Sequence, residues 1–167
     1  MNKNWTNIKQ LSTDVGKLLA NNNSTLSTAE SCTGGGIAYA ITEIAGSSAY
    51  FTQSWVTYSN LAKINLLNIP ESIIEQYGAV SESTVNAMAI SALNQAGSDY
   101  SIATSGIAGP DGGSNDKPIG LVWFAFGMQG KDTLVEKQIF DGDRESVRIQ
   151  AIEFALNKLK MVIMPNV

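Results

Sequence analysis

Three consecutive glycines, Gly34-Gly35-Gly36, constrain the fold of this chain more than any other feature. Residues 25–29, just before them, predict a buried strand, and apolar residues three or four apart after them predict a helix. The glycines therefore lie at a strand-to-helix turn, which is typical of α/β folds. Glycine is a poor helix former, so three of them at a helix start need a compensating reason. Close approach of a ligand to the backbone is one reason; the alternative is a tight connection without a ligand.

The rest of the chain predicts alternating helices and strands, followed by a hairpin. Gly46 is expected to end the helix after the glycines, and Asn60 to cap the next helix, which Pro70 ends. These elements predict a three-layer α/β/α sandwich with a mixed, mostly parallel five-stranded sheet, in one domain over residues 1–167. Helices are expected near residues 5–20, 34–46, 60–70, 73–77, 81–96 and 143–160, and strands near 25–29, 51–58, 99–105, 119–128 and 133–140.

Composition excludes several classes of function. The net charge is −4 and the eleven Lys and Arg residues are scattered, so we expect no nucleic-acid partner. Neither a leader nor an apolar run of membrane-spanning length is present, which predicts a cytoplasmic protein with no membrane association. With one cysteine and no histidine, the chain has no internal disulfide and lacks the usual zinc ligands, so we expect no metal. We also expect a homo-oligomer, of a subunit number that the sequence does not define.

The missing histidine also limits the chemistry of Ser31, which lies between the strand and the glycines. A serine at such a turn is a plausible nucleophile, but a Ser-His-Asp triad is impossible here. The proton of Ser31 must pass to a lysine, a tyrosine or a carboxylate. The neighbouring Cys32 is an alternative nucleophile at the helix N-terminus, although a buried, inert thiol is at least as consistent with its position.

Lys63 is the lysine whose position suggests a base. If Asn60 caps its helix, Lys63 lies in the first turn, where the positive end of the helix dipole lowers the pKa of an amine. The alternative is an exposed lysine on a short helix. Tyr58, at the end of the preceding strand, has the corresponding alternative of an aromatic side chain with its hydroxyl in water.

A second glycine-rich segment, residues 104–113, leaves the end of another predicted strand. Ligands of open α/β sheets bind at the carboxyl ends of strands, so this segment and the Ser31 turn are expected to face each other there. The alternative is a flexible connection. Arg144 and Arg148 share a face at the start of the last helix, and Arg144 is placed either to hold a substrate phosphate or to pair with a carboxylate.

Six short motifs follow one another along the chain: Thr28-Ala29-Glu30-Ser31-Cys32-Thr33-Gly34-Gly35, Gly46-Ser47-Ser48, Val56-Thr57-Tyr58-Ser59-Asn60-Leu61-Ala62-Lys63, Gly78-Ala79-Val80-Ser81, Ser105-Gly106-Ile107-Ala108-Gly109-Pro110 and Lys117-Pro118-Ile119-Gly120. In this order they make the chain resemble the CinA C-terminal family from about Leu11 to Leu159. The stand-alone members of that family are nicotinamide-nucleotide amidases.

The resemblance implies hydrolysis of the carboxamide of nicotinamide mononucleotide, in pyridine-nucleotide recycling and without a cofactor. Ser31 would be the nucleophile, Lys63 its general base and Tyr58 a positioning or relaying group, with N–H groups near residues 33–35 holding the oxyanion. A non-catalytic nucleotide-binding module, or an interaction module associated with competence or DNA damage, is the alternative. The residues expected to bind substrate are Thr33, Gly34, Gly35, Ser48, Ser105, Gly106, Gly109 and Arg144.

Overall fold

The structure, a computed structural model, describes residues 3–164. A short 3-10 turn, Ser47–Ala49, precedes the second strand. In chain order the elements are α1 (Lys3–Asn21), β1 (Leu26–Glu30), α2 (Gly36–Thr42), β2 (Phe51–Val56), α3 (Asn60–Leu67), α4 (Glu71–Tyr77), α5 (Glu82–Ala96), β3 (Tyr100–Gly106), β4 (Leu121–Met128), β5 (Leu134–Ile139) and α6 (Arg144–Ile163).

The five strands form one mixed sheet in the order β2-β1-β3-β4-β5. Strand β1 pairs in parallel with both β2 and β3, whereas β4 is antiparallel to β3 and to β5. Four of the five strands therefore run in one direction, and only β4 is reversed. The predicted mixed sheet and the late hairpin of β4 and β5 are confirmed.

Side chains alternate between the two faces of the sheet and define the layers. Leu26, Ile102 and Phe124 face one side, where they pack in a core with α1, α2 and α6. Ala29, Ala103 and Ala125 face the other side, where α5 packs with residues of α3 and α4. Small alanines allow α5 to lie close to the sheet on this face.

The long helices α1 and α6 pack against each other on the first face. Asp143 caps α6 by accepting a hydrogen bond from the Ser146 N–H at 2.8 Å. An ion pair of 2.7 Å between Lys160 and Asp14 joins the two helices. None of the helices within residues 3–164 is long and apolar enough to cross a membrane.

Three predicted helix boundaries are wrong. Helix α2 ends at Thr42, and the left-handed Gly46 precedes the 3-10 turn instead of ending the helix. Ser59, not Asn60, caps α3, because its hydroxyl accepts a hydrogen bond from the Ala62 N–H. Helix α3 ends at Leu67 with Asn68 in the left-handed conformation, so Pro70 begins α4 and does not end α3. The predicted cap of α5 at Ser81 and its end at Gly97 are confirmed.

Candidate active site

Ser31 lies directly after β1, at the carboxyl edge of the sheet. Its N–H donates to the Thr104 carbonyl at 3.0 Å, which extends the pairing of β1 with β3 by one residue. On the other side, the Thr57 N–H donates to the Glu30 carbonyl at 2.8 Å. The chain leaves β1 toward β2 on one side and reaches β3 on the other, which is the topological switch point where α/β sheets bind ligands. Ser31 is buried there, with 7% of its surface exposed.

Lys63 reaches Ser31 from the first half of α3. Its Nζ lies 3.0 Å from the Ser31 Oγ and donates to the Thr57 carbonyl at 2.8 Å. The Tyr58 carbonyl is a third contact, at 3.4 Å. Lys63 is only 1% exposed, so the alternative of a solvated lysine on a short helix is wrong. The two carbonyls hold the amine against the serine hydroxyl.

Burial changes the protonation of this amine. Desolvation lowers the pKa of Lys63 from its ordinary value of 10.5 to about 8. The predicted direction is confirmed, but its main cause is burial and not the position of Lys63 near the start of a helix. In a substantial fraction of the molecules, the Lys63 amine is therefore neutral near pH 8 and can accept a proton.

The buried Glu30 carboxylate organises the turn that carries Ser31. It accepts hydrogen bonds from the Ala38 N–H at 2.8 Å, the Ile37 N–H at 3.1 Å and the Thr33 hydroxyl at 2.7 Å. Glu30 thus caps α2, whose N-cap residue Gly35 provides no side-chain oxygen. The sequence pattern gives Glu30 no role of its own. Because Glu30 lies six residues before Gly36, the first residue of α2, it falls outside the sequence pattern of a helix cap.

Gly34 and Gly35 shape the turn after Ser31 and do not line the cavity in front of the Ser31 hydroxyl. Gly34 and Gly35 have φ values of 61° and 87°, a left-handed conformation that favours glycine. The Gly34 N–H donates to the Ser31 carbonyl at 3.0 Å, so it is not free to hold an oxyanion as predicted. Gly34 and Gly35 line a separate cavity of about 260 Å³ beside Arg148. Thr33 is fully buried, and its carbonyl accepts a hydrogen bond from Arg148 at 3.0 Å.

A cavity of about 210 Å³ opens in front of Ser31 and is called the Ser31 cavity below. It brings together six of the predicted site residues: Ser31, Tyr58, Lys63, Ser105, Gly106 and Arg144. The Ser105 hydroxyl donates to the Ala79 carbonyl at 2.7 Å. The remaining lining residues are Cys32, Ala79, Val80 and Ala108.

Arg144 joins two segments at the mouth of the Ser31 cavity. Its Nη2 donates to the Tyr58 hydroxyl at 2.7 Å, and its Nη1 donates to the Gly109 carbonyl at 3.0 Å. Within residues 3–164, Arg144 makes no ion pair with a carboxylate. Tyr58 is 59% exposed, and its hydroxyl contacts Arg144 and neither Ser31 nor Lys63. Arg144 therefore links Tyr58 to the loop that follows β3.

Two predicted residues have no place in this chemistry. Ser48 is exposed in the 3-10 turn before β2. Because β2 is parallel to β1, a residue before β2 lies at the amino edge of the sheet, opposite Ser31. Cys32 is buried beside Ser31, and desolvation raises the pKa of its thiol to about 12. The thiol stays protonated at neutral pH, which favours the buried, inert alternative over a nucleophile.

Comparison with known proteins identifies relatives along nearly the whole chain. The sequence model of the CinA C-terminal domain matches residues 8–163. Nicotinamide-nucleotide amidohydrolase PncC of Enterobacter agglomerans is 54% identical over 149 residues, which cover 89% of this chain and 91% of that protein. The protein of the same name from Escherichia coli strain K12 is 49% identical over 159 residues, covering 95% and 96% of the two chains.

Solved structures have the same fold. The crystal structure of a CinA superfamily protein from Klebsiella pneumoniae matches with a TM-score of 0.90 and 38% identity, over 93% of this chain and 97% of that one. The competence/damage inducible protein CihA of Agrobacterium tumefaciens also gives a TM-score of 0.90 and 38% identity, over 94% and 95% of the two chains. The predicted fold class is thus confirmed independently of the strand assignments.

Proposed function

This chain belongs to the CinA C-terminal domain family, and on that premise we propose that it hydrolyses the carboxamide of nicotinamide mononucleotide to nicotinic acid mononucleotide and ammonia. The relatives named nicotinamide-nucleotide amidohydrolases place the chain among amidohydrolases. The observation that carries the proposed Ser/Lys mechanism is the 3.0 Å contact between the Lys63 Nζ and the Ser31 Oγ in a buried cavity. The product acid would serve pyridine-nucleotide recycling.

The reaction would proceed through an acyl-enzyme. Neutral Lys63 accepts the Ser31 proton while the oxygen attacks the amide carbon, and the resulting ammonium then gives its proton to the leaving nitrogen. Ammonia departs and leaves an ester on Ser31. Lys63 next takes a proton from water, whose oxygen attacks the ester, and the proton returns to the Ser31 oxygen as the acid is released. This sequence of proton transfers uses no metal and no organic cofactor.

Three backbone groups of the turn are open to the oxyanion. The N–H groups of Cys32, Thr33 and Gly35 donate to no backbone carbonyl within the described residues, whereas that of Gly34 is engaged. In α/β-hydrolases, the N–H after the nucleophile forms part of the oxyanion hole. We therefore keep Thr33 and Gly35 of the predicted residues 33–35 in this role, add Cys32 and leave out Gly34.

The other site residues would shape access to the nucleophile. Gly106 and Ser105 form one wall of the Ser31 cavity, and Tyr58, Arg144 and Gly109 form its hydrogen-bonded mouth. Substrate would contact Gly106, Ser105, Tyr58 and Arg144. It would pass Gly109 on its way into the cavity. Thr33, Gly34 and Gly35 would also fix the turn that carries Ser31, and Ser48 is left out of the proposed site.

A homo-oligomer remains part of the proposal. Strand β2 lies at an edge of the sheet. Val56 at its end is 49% exposed, and Leu61 in the following helix is 64% exposed. Apolar side chains beside an unpaired strand edge support self-association. Light scattering of the purified chain after gel filtration tests this, and a monomer at micromolar concentration contradicts it.

An ammonia-release assay tests the function. The purified chain is incubated with nicotinamide mononucleotide, nicotinamide riboside or free nicotinamide, and ammonia is measured with a coupled enzyme. We expect the fastest release from the mononucleotide. Binding of the mononucleotide without ammonia production would overturn the proposal and favour a non-catalytic nucleotide-binding module.

A further inference from the structure

The Ser31 cavity is too small for a whole mononucleotide. Its volume is about 210 Å³, whereas pockets that hold complete small-molecule ligands usually measure about 300–1,000 Å³. An amide and its aromatic ring fit such a volume, and they are the part that must reach Ser31. The ribose and the phosphate of the proposed substrate therefore require space beyond this cavity.

A second cavity, of about 420 Å³, adjoins the first and is called the Lys137 cavity here. The two cavities share Val80, which lines both. The Lys137 cavity is also lined by the aromatic ring of Trp123 and by Lys117 and Lys137. The two cavities therefore lie on either side of Val80.

Strand register places the two cavities in one row across the sheet. Ser105 pairs with Trp123, and Trp123 pairs with Lys137. Directly paired residues point to the same face, which here is the face toward α5. Neighbouring strands lie about 4.8 Å apart, so Lys137 on β5 lies three strands, or about 14 Å, from Ser31 at the end of β1. Its long side chain shortens the remaining distance to a ligand.

Within residues 3–164, neither lysine of the Lys137 cavity has an ion-pair partner. The Lys117 Nζ donates to the Tyr77 carbonyl at 2.9 Å, and the Lys137 Nζ lies 5.3 Å from the centroid of the Trp123 ring. Glu82 and Asp116 line the same cavity. In the part of the chain that the structure describes, neither carboxylate lies within 4.0 Å of a lysine nitrogen. The two ammonium groups thus remain available to an anion.

We propose that the Lys137 cavity binds the ribose 5′-phosphate of the substrate, with Lys137 contacting the phosphate and the Trp123 ring lying against the ribose. The proposal rests on the proposed function and identifies how the site selects a nucleotide over a nucleoside. Lys117 is the second cation, and its bond to the Tyr77 carbonyl also holds the segment that separates the two cavities. Arg144 is then free to keep the mouth of the Ser31 cavity in place.

Substitution of Lys137 by methionine tests the proposal, because methionine keeps the length of the side chain and removes its charge. We expect kcat/KM for the mononucleotide to fall about tenfold, the effect of losing one charge-assisted contact, mainly through KM. The value for nicotinamide riboside, which lacks the phosphate, should change less than about twofold. Lys137→Arg should restore most of the preference, and Lys131→Met, on the exposed hairpin turn, is the matched control.

An unchanged ratio of the two kcat/KM values in Lys137→Met would overturn the proposal. The proposal also fails if Arg144→Met lowers the ratio and Lys137→Met does not, since the phosphate would then contact Arg144. Circular dichroism of each variant establishes that it is folded, and Lys137 is exposed, so its loss should not disturb the core.

A binding measurement separates this proposal from the proposed function. In Ser31→Ala carrying Trp5→Phe and Trp55→Phe, Trp123 is the sole tryptophan and its fluorescence reports the Lys137 cavity. We expect the mononucleotide to change this fluorescence, with a dissociation constant that Lys137→Met raises about tenfold. If the wild-type chain releases no ammonia but this response persists, the function fails and the phosphate site stands. The absence of any response overturns the site.

Discussion

Two glycine-rich segments meet at the carboxyl edge of the sheet, and they are held in place by different means. The turn after β1 is anchored from inside the protein, by the buried Glu30 carboxylate and by Arg148 on the Thr33 carbonyl. Residues 107–120 after β3 are mostly exposed, and Arg144 holds their start from the surface through the Gly109 carbonyl.

The difference separates two tasks of one site. A nucleophile needs a fixed position relative to its base, because small displacements cost large factors in rate. A ligand entrance needs contacts that can be exchanged for contacts with the ligand. Substitutions in the first segment should therefore affect turnover, and those in the second should affect mainly substrate binding.

Removal of the nucleophile or its base is the most severe test of the first segment. Ser31→Ala should lower kcat by on the order of 10⁴-fold or more, and Lys63→Met by about 10²- to 10⁴-fold. The measurement is ammonia release from the mononucleotide. Lys131→Met controls for the loss of a lysine far from the site, and near-normal turnover in either variant would refute the role assigned to that residue.

Glu30→Gln tests whether the buried anchor matters for chemistry as well as for folding. Glutamine keeps the shape but replaces one oxygen by a donor that faces the helix N–H groups. We expect the free energy of unfolding to fall by about 2–3 kcal/mol and kcat to fall by roughly 10²-fold. Urea unfolding and the ammonia assay measure the two effects. Glu75→Gln, on the exposed surface of α4, should change neither; full activity in a destabilised Glu30→Gln would limit Glu30 to folding.

The pH dependence of turnover tests the state of Lys63. Burial lowers the pKa of Lys63 to about 8, and the amine must be neutral to accept the Ser31 proton. The value of kcat/KM should therefore fall about tenfold per pH unit below about pH 8 and level off above it. The riboside has no phosphate to titrate, so the same profile with both substrates assigns the change to the enzyme. A flat profile between pH 6 and 8 contradicts a titrating amine.

The sequence is most informative about the catalytic base, because the lack of histidine can be combined with the position of a lysine near a predicted helix start. Without histidine, Ser31 requires another base, and the pattern points to Lys63 although 32 positions separate the two residues. Strand alternation and capping rules predict most elements because they depend on neighbouring residues. The family resemblance, confirmed by the match over residues 8–163, orders these parts into one site.

The errors concern relations between distant segments. Ser48 belongs to a motif near the site in sequence, but a parallel crossover carries residues before β2 to the opposite edge of the sheet. Glu30 cannot be recognised from sequence as the cap of α2, because its bonds to the backbone N–H groups of Ile37 and Ala38 depend on how the turn folds. From the sequence, the low pKa of Lys63 is assigned to the start of its helix. In the structure, burial lowers this pKa, and the burial depends on packing by other elements.

Tyr58→Phe gives the smallest expected effect. It probes how firmly Arg144, which binds both Tyr58 and Gly109, holds the second segment. The Tyr58 hydroxyl contacts Arg144, so its loss should loosen the mouth, raise KM about three- to tenfold and leave kcat nearly unchanged. Tyr39→Phe is a matched control, because Tyr39 is 55% exposed and Tyr58 is 59% exposed. Steady-state ammonia release separates the two constants. A fall in kcat with unchanged KM would instead make Tyr58 a proton relay, and the two segments would then share the chemistry.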